Sequence, residues 1–237
     1  MGLMRLAITM RTTQHGAGLE QMDALAKSWY DVFHEILPEA ILISIPNNLS
    51  MAKKILNDTQ IHGLILSGGD DLGSAPTRDR VEAYLLSLAE AEKWPVLGVC
   101  RGMQVINTYF GGRLEKNVHS RSQISHAGTD HPVRLLGGLK ELASTEELTV
   151  NSYHNHGVAT DGLAVGFIAL ATAAGDLVEA FNHYRLPILG IMWHPERYAA
   201  VQDFDRLLIR EIFRKRADVF KLTIAPTPSS MSFMPST

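Results

Sequence analysis

Apolar residues fall along this chain in short runs that alternate with longer periodic stretches. Residues 3–10 read as a buried strand, and residues 11–18 as a polar, glycine-bearing loop after it. Within 19–37, Leu25, Trp29, Val32, Phe33 and Ile36 recur at helical spacing, which predicts a helix ending before Pro38. Residues 40–45 predict a second strand, and Ser50 is placed to cap a short helix over 51–57. Residues 61–66 predict a third strand running into the turn Ser67-Gly68-Gly69-Asp70-Asp71, whose glycines suit unusual dihedrals. A helix over 77–93 follows, with Val81, Tyr84, Leu85 and Leu88 on one face. Residues 95–99 then predict a fourth strand. Past Cys100, the residues Met103, Val105, Ile106 and Phe110 take helical spacing until Gly111-Gly112 stops it.

Strands alternating with helices at this pitch predict an α/β fold: a flavodoxin-like three-layer sandwich around a mostly parallel sheet. The second half differs. Residues 131–136, 148–151, 166–171, 176–182 and 188–193 read as shorter, closer strands. Gly137-Gly138 and Ala174-Gly175-Asp176 suit hairpins between them, so a mixed, antiparallel half is expected. A helix over 201–215 closes one domain, residues 1–216. Residues 217–237 hold Pro, Ser, Thr and Met without periodicity and are expected to be a disordered tail. In such sheets reactive groups gather at the carboxyl ends of the strands. Arg11, Gly69 and Cys100 all lie just past predicted strands, so one crevice can hold all three.

Composition narrows the class further. With 46% apolar residues among 237, the chain can bury a full core. The formal net charge is −3 and no basic stripe occurs, which argues against nucleic acid and anionic membrane surfaces as partners. One cysteine allows no internal disulfide and suits a reducing, cytoplasmic compartment. Neither a secretory signal nor an apolar run of about 20 residues is recognisable. Self-association into a homo-oligomer stays open.

The lone cysteine sits on a sharp strand-to-helix turn, where the side chain is exposed and the helix N-terminus favours a thiolate. The plain alternative is a small core cysteine. A nucleophile needs a base, and the base needs an orienting acceptor. The apolar strand 188–193 runs directly into His194-Pro195-Glu196. Residues i and i+2 of a turn can point to one side, so His194 can face Cys100 while Glu196 holds the far ring nitrogen. Acyl transfer also requires an oxyanion hole. The Arg101 backbone N–H at the helix start is one candidate donor, and Gly69 N–H is the other.

Taken together and in this order, GVCRGMQVIN, SGGD and WHPE resemble the class I glutamine amidotransferase superfamily, over roughly residues 3–215. Cys-Arg-Gly-Met-Gln, Arg78-Asp79 with Glu82, and Val150-Asn151-Ser152-Tyr153-His154 are similar to its gamma-glutamyl hydrolase branch. That resemblance implies a Cys-His-Glu triad, no cofactor, and cleavage of a small-molecule γ-glutamyl amide with release of glutamate. It also implies that Gln104 and the backbone of Asn151, Ser152, Tyr153 and His154 hold the glutamyl amino and carboxylate groups. The sequence departs from the branch in its Tyr153-His154-Asn155-His156 and in the loop after Gly69, both near the pocket. The start of the chain looks similar to small members tied to bacterial surface (capsule) polysaccharide synthesis. There the substrate is a γ-glutamyl phosphoramidate of cytidine diphosphate, and Arg11 would neutralise the anionic leaving group; its plain alternative is a solvated loop charge.

His119, His126, His131, His154 and His156 invite a metal reading, with His154-x-His156 at ligand-like spacing. No second cysteine and no carboxylate–histidine helix motif accompanies them, so no metal is expected. Two other functions compete with the hydrolase: a glutaminase component passing ammonia to a separate synthetase, and a non-catalytic regulator binding a glutamyl metabolite.

Overall fold

The computed structural model describes residues 3–15 and 20–214. The predicted tail at 217–237 lies outside the described residues, as do the end of the predicted loop at 11–18 and the start of the helix at 19–37. In chain order the elements begin with β1 (Met4–Thr9), β2 (Arg11–His15), β3 (Glu20–Ala24), α1 (Ser28–Ile36), β4 (Ala40–Ile45) and α2 (Leu49–Asp58). Then come β5 (Gly63–Leu66), α3 (Pro76–Glu92), β6 (Val96–Val99), α4 (Arg101–Tyr109), α5 (Val118–Ser122) and β7 (Ala127–Leu135). The remainder is α6 (Gly137–Ala143), β8 (Glu147–Tyr153), β9 (Val158–Ala159), β10 (Phe167–Ala173), β11 (Leu177–His183), β12 (Ile188–Ile191) and α7 (Asp203–Arg214).

The main sheet has the order β4-β1-β5-β6-β12-β11-β10-β7-β8, with β9 paired to β11. From β4 to β12 neighbouring strands are parallel, and from β12 to β8 they are antiparallel. The fold is therefore α/β with a parallel N-terminal half and an antiparallel C-terminal half, as the hydrophobic pattern predicts. Numbered among themselves, the parallel strands run 2-1-3-4-5, the flavodoxin-like order. Every residue of β5, β6 and β12 is buried, which is why these strands read as unbroken apolar runs. Helices α1, α6 and α7 pack as one group, and α2, α3 and α4 as another, the two outer layers of the sandwich.

Four local expectations are corrected. Residues 11–15 are not loop but one strand of a hairpin, with Arg11↔Ala24 through His15↔Glu20 in register. The helix predicted from residue 19 starts only at Ser28. Upstream of it Glu20, Gln21, Met22 and Asp23 are all exposed, so no apolar stripe exists to dock a helix. Asp23 instead accepts from the Asn47 backbone N–H at 2.8 Å and from Asn47 Nδ2 at 2.7 Å, pinning the hairpin beside β4. Helix α2 is capped not by Ser50 but by Asn48, whose Oδ1 accepts from Met51 N–H at 3.1 Å. Gly137-Gly138 opens helix α6 rather than a tight turn, because Leu139 is buried and Leu142 and Ala143 pack against the core.

Candidate active site

The elbow forms because three segments approach more closely than a Cβ would allow. A Cβ on Gly102 would lie 2.0 Å from the Leu66 carbonyl oxygen, and one on Gly98 would lie 2.7 Å from the Gly102 carbonyl carbon. Glycine at both positions lets α4 start hard against β5 and β6. Cys100 is caught between them with φ 51° and ψ −106°, a region that costs a non-glycine residue about 1–3 kcal/mol. Its N–H donates to the Ile191 carbonyl at 2.8 Å, which ties the elbow to the end of β12.

Three residues beyond Ile191 stands His194. Its backbone is held by one side chain: Asn151 Oδ1 accepts from His194 N–H at 2.8 Å, and Asn151 Nδ2 donates to His194 C=O at 2.9 Å. The ring Nδ1 bonds Glu196 Oε1 at 2.7 Å. Nε2 is buried and has no hydrogen-bond partner among the described residues. Burial disfavours the imidazolium, but interactions with Cys100 and with the Glu196 carboxylate more than offset this and lift the His194 pKa to about 9. Gly68 shows how near the parts are. A Cβ there would lie 2.7 Å from His194 Cε1 and 3.7 Å from Cys100 Cβ.

The turn carrying Gly68 and Gly69 is held from behind. The buried Arg78 Nη2 donates to the carbonyls of Ser67 at 2.7 Å and Gly68 at 3.1 Å, while its other nitrogens pair with Glu82 at 2.9 Å and Asp70 at 3.1 Å. Glu82 also bonds the buried Arg101 guanidinium, which reaches Asp79 as well. Because the peptide is trans, a Gly68 carbonyl held toward Arg78 turns the Gly69 N–H to the opposite side. Gly69 itself has φ +126°. Arg101 N–H, in the first turn of α4, has no intrahelical acceptor by position.

Arg11 lines a cleft with Gly68, Gly69, Glu196 and Arg197. Tyr153 is 45% exposed, stands edge-on to the His194 ring at 5.7 Å, and carries the Arg197 guanidinium over its face. Gln104 Nε2 donates to the His156 carbonyl at 2.9 Å. Asn151 N–H donates to Tyr198 Oη and His154 N–H to the His126 carbonyl, so neither N–H is free for a ligand. Ser152 Oγ also bonds the His126 carbonyl, at 2.7 Å. The structure thus brings Arg11, Gly69 and Glu196 into one cleft, sets Cys100, with Arg101 next to it in the chain, and His194 against Gly68 of that cleft, and stands Tyr153 edge-on to the His194 ring. The side chains of Ser152 and His154 turn away from the cleft. Sequence reasoning missed the Asn151 brace and the carbonyl clamp of Arg78. It also missed Glu179, whose signal was a lone carboxylate in the apolar run of β11.

A group of candidate ligands gathers from β7, β11, the approach to β7 and the segment after β8: His126, His131, His154 and Glu179, all buried. Burial lowers all three histidines, His126 to about 4 and His154 to about 3, and pushes Glu179 up to about 8.

Residues 6–196 match the peptidase C26 family, from β1 to the last residue of the His194-Pro195-Glu196 turn. The chain belongs to that family of glutamine amidotransferase-like hydrolases. It is 32% identical to the glutamine amidotransferase-like protein YvdE of Lactococcus lactis, over 79% of this chain and 86% of that one. It is also 32% identical to the gamma-glutamyl-CDP-amidate hydrolase of Campylobacter jejuni, over 82% of this chain and 90% of that one. Among solved structures, a glutamine amidotransferase from Thermotoga maritima superposes with a TM-score of 0.60 at 14% identity, covering 81% of this chain and 76% of that one. That likeness is one of fold. No helix among the described residues is long and apolar enough to cross a membrane.

Proposed function

We propose that this protein hydrolyses a γ-glutamyl amide through a covalent thioester on Cys100. One observation supports this most directly: the strained elbow and the Glu196-bonded His194 ring meet across Gly68, with Nε2 of the ring left without a partner among the described residues. In this reading Cys100 Sγ attacks the γ-carbonyl. The developing oxyanion is met by the N–H groups of Gly69 and Arg101. His194, held as imidazolium by Glu196, protonates the departing amine, and the thioester forms. A water molecule deprotonated by His194 Nε2 then attacks the thioester, releasing glutamate and the free thiol. Gln104 and Tyr153 bind the glutamyl half, whereas Asn151 positions His194.

The leaving half is proposed to be anionic. Arg11 stands in the cleft beside Gly69 and Glu196. The Campylobacter relative's name specifies a γ-glutamyl amidate of cytidine diphosphate, which makes that compound the first candidate substrate, with a place in capsule polysaccharide synthesis. The test is glutamate release from γ-glutamyl-CDP-amidate, a neutral γ-glutamyl anilide and glutamine, measured side by side with Cys100→Ala as blank. Preferred turnover of the amidate supports the reading. Turnover of glutamine alone, rising when a synthetase partner is added, would instead make the chain the glutaminase component of a synthetase.

A further inference from the structure

We propose that His126, His131, His154 and Glu179 form a closed zinc site that holds the edge of the substrate pocket in place. The four side chains come from the approach to β7, from β7 itself, from the segment after β8, and from β11. All are buried, and their ligand atoms lie within 4.8 Å of one another. The distances from Glu179 Oε1 are 4.0 Å to His126 Nδ1, 3.9 Å to His131 Nε2 and 3.8 Å to His154 Nε2.

Those separations are too long for hydrogen bonds. Each of these three nitrogens, and both Glu179 oxygens, lacks a hydrogen-bond partner among the described residues. Five orphaned polar atoms at one buried point is unusual, since buried polar groups are nearly always paired. A proton shared within the group can bridge only one pair at a time, and only at hydrogen-bond distance. A cation at the centre satisfies all four groups together.

The opposite nitrogens of the rings behave as those of metal ligands do. His154 Nδ1 lies 3.0 Å from the His156 carbonyl, and His131 Nδ1 3.2 Å from the Pro132 carbonyl. A carbonyl only accepts, so each Nδ1 carries the proton and each Nε2 presents a lone pair to the centre. His126 Nε2 bonds Ser122 Oγ at 3.0 Å, leaving Nδ1 to the centre. Three imidazoles and one carboxylate, without a thiolate, suit zinc, which takes nitrogen at about 2.0–2.1 Å in a tetrahedron whose edge is ~3.3 Å. Closing the Glu179 edges to that length takes a shift of about half an ångström per pair.

With four protein ligands and no open position, such a site is structural. Its location gives it a task. His154 is linked through the His156 carbonyl to Gln104, and Glu179 C=O accepts from Met192 N–H at 2.8 Å, two residues before His194. The ion would therefore pin the strands that carry Tyr153, Gln104's anchor and the approach to His194.

The experiment is metal analysis of the full chain, purified without chelators from zinc-supplemented cells. The expected result is close to one zinc per chain, retained in Cys100→Ser and lost by at least tenfold in Glu179→Gln and in His131→Asn. If those variants fail to fold, wild-type protein stripped with a chelator and reloaded with Co²⁺ provides the readout. It should show the visible absorption of a four-coordinate ion, and its Tm should rise with added zinc. Folded wild-type protein that carries no zinc and shows no cobalt spectrum would overturn the proposal. Zinc that persists in Glu179→Gln, or that disappears in Cys100→Ser, would overturn it too, because the ion would then sit elsewhere.

Discussion

Gly68→Ala tests the catalytic geometry with a single carbon atom. Gly68 does not sit at positive φ, so alanine meets little backbone strain there. Its Cβ would instead stand 2.7 Å from His194 Cε1, where ordinary contact begins near 3.4 Å, so the pair must open by about 0.7 Å. The ring cannot simply yield. Glu196 holds Nδ1 at 2.7 Å, and Asn151 holds the backbone by two bonds. The shift therefore displaces the ring relative to Cys100 or breaks the Glu196 bond. A misplacement of this size costs about 10²-fold in rate, roughly 2.7 kcal/mol of transition-state stabilisation. The assay is kcat/KM for a chromogenic γ-glutamyl anilide, with Tm as the check on folding. The control is Gly73→Ala. Gly73 has φ +90° and open space around it, so alanine there costs about 1 kcal/mol of stability and leaves turnover unchanged. A folded Gly68→Ala protein within threefold of wild-type activity would refute the proposed contact between turn, base and nucleophile.

Other outcomes follow from the same geometry. Glu196→Gln should lower kcat by about 10²–10⁴, because the amide no longer stabilises the imidazolium. In the wild type, kcat/KM should decline as pH rises through about 9, where His194 loses the proton it gives to the leaving amine; in Glu196→Gln that limb should move to lower pH. The same raised pKa means that the pair's contribution to stability is complete below about 6.5 and is lost as pH rises through about 9, which urea titrations across that range will show. Arg78→Lys keeps the charge but cannot hold two carbonyls. It should reduce kcat by about 10² with little change in KM, as expected for a turned oxyanion donor, whereas an equal rise in KM would point to a substrate contact. Arg11→Ala should raise KM for an anionic leaving group and leave that for a neutral anilide unchanged; parallel changes for both would remove Arg11 from leaving-group recognition.

Much of the fold was legible because parallel strands buried on both faces must be apolar throughout, and β5, β6 and β12 are such runs between turn signals, with β1 and β4 mainly apolar beside them. The hairpin β2–β3 was not legible. Its exposed polar side chains have neither period, and the backbone ladder with the Asn47–Asp23 bonds holds it. The glycines of the Ser67–Gly69 turn were legible as a turn, but their purpose is tertiary: only the folded structure shows that Gly68 faces His194 and that Arg78 grips the carbonyls. Asn151 illustrates the same limit. Its resemblance to a family motif implied a role for its backbone in holding substrate; what only the folded structure adds is that its side chain braces the His194 backbone. Glu179 could have been suspected as a carboxylate inside the apolar run Leu177–Phe181, but nothing in its neighbourhood along the chain announces three histidines from other segments.

The central claim is that Cys100 forms a covalent γ-glutamyl intermediate. The most direct measurement is peptide mass spectrometry of protein quenched with acid during turnover of a γ-glutamyl anilide. The predicted result is one glutamyl group on the peptide containing Cys100, absent from Cys100→Ala and lost on treatment with hydroxylamine. Glutamate released at full rate by Cys100→Ala, with no glutamyl adduct on the wild-type peptide, would contradict it.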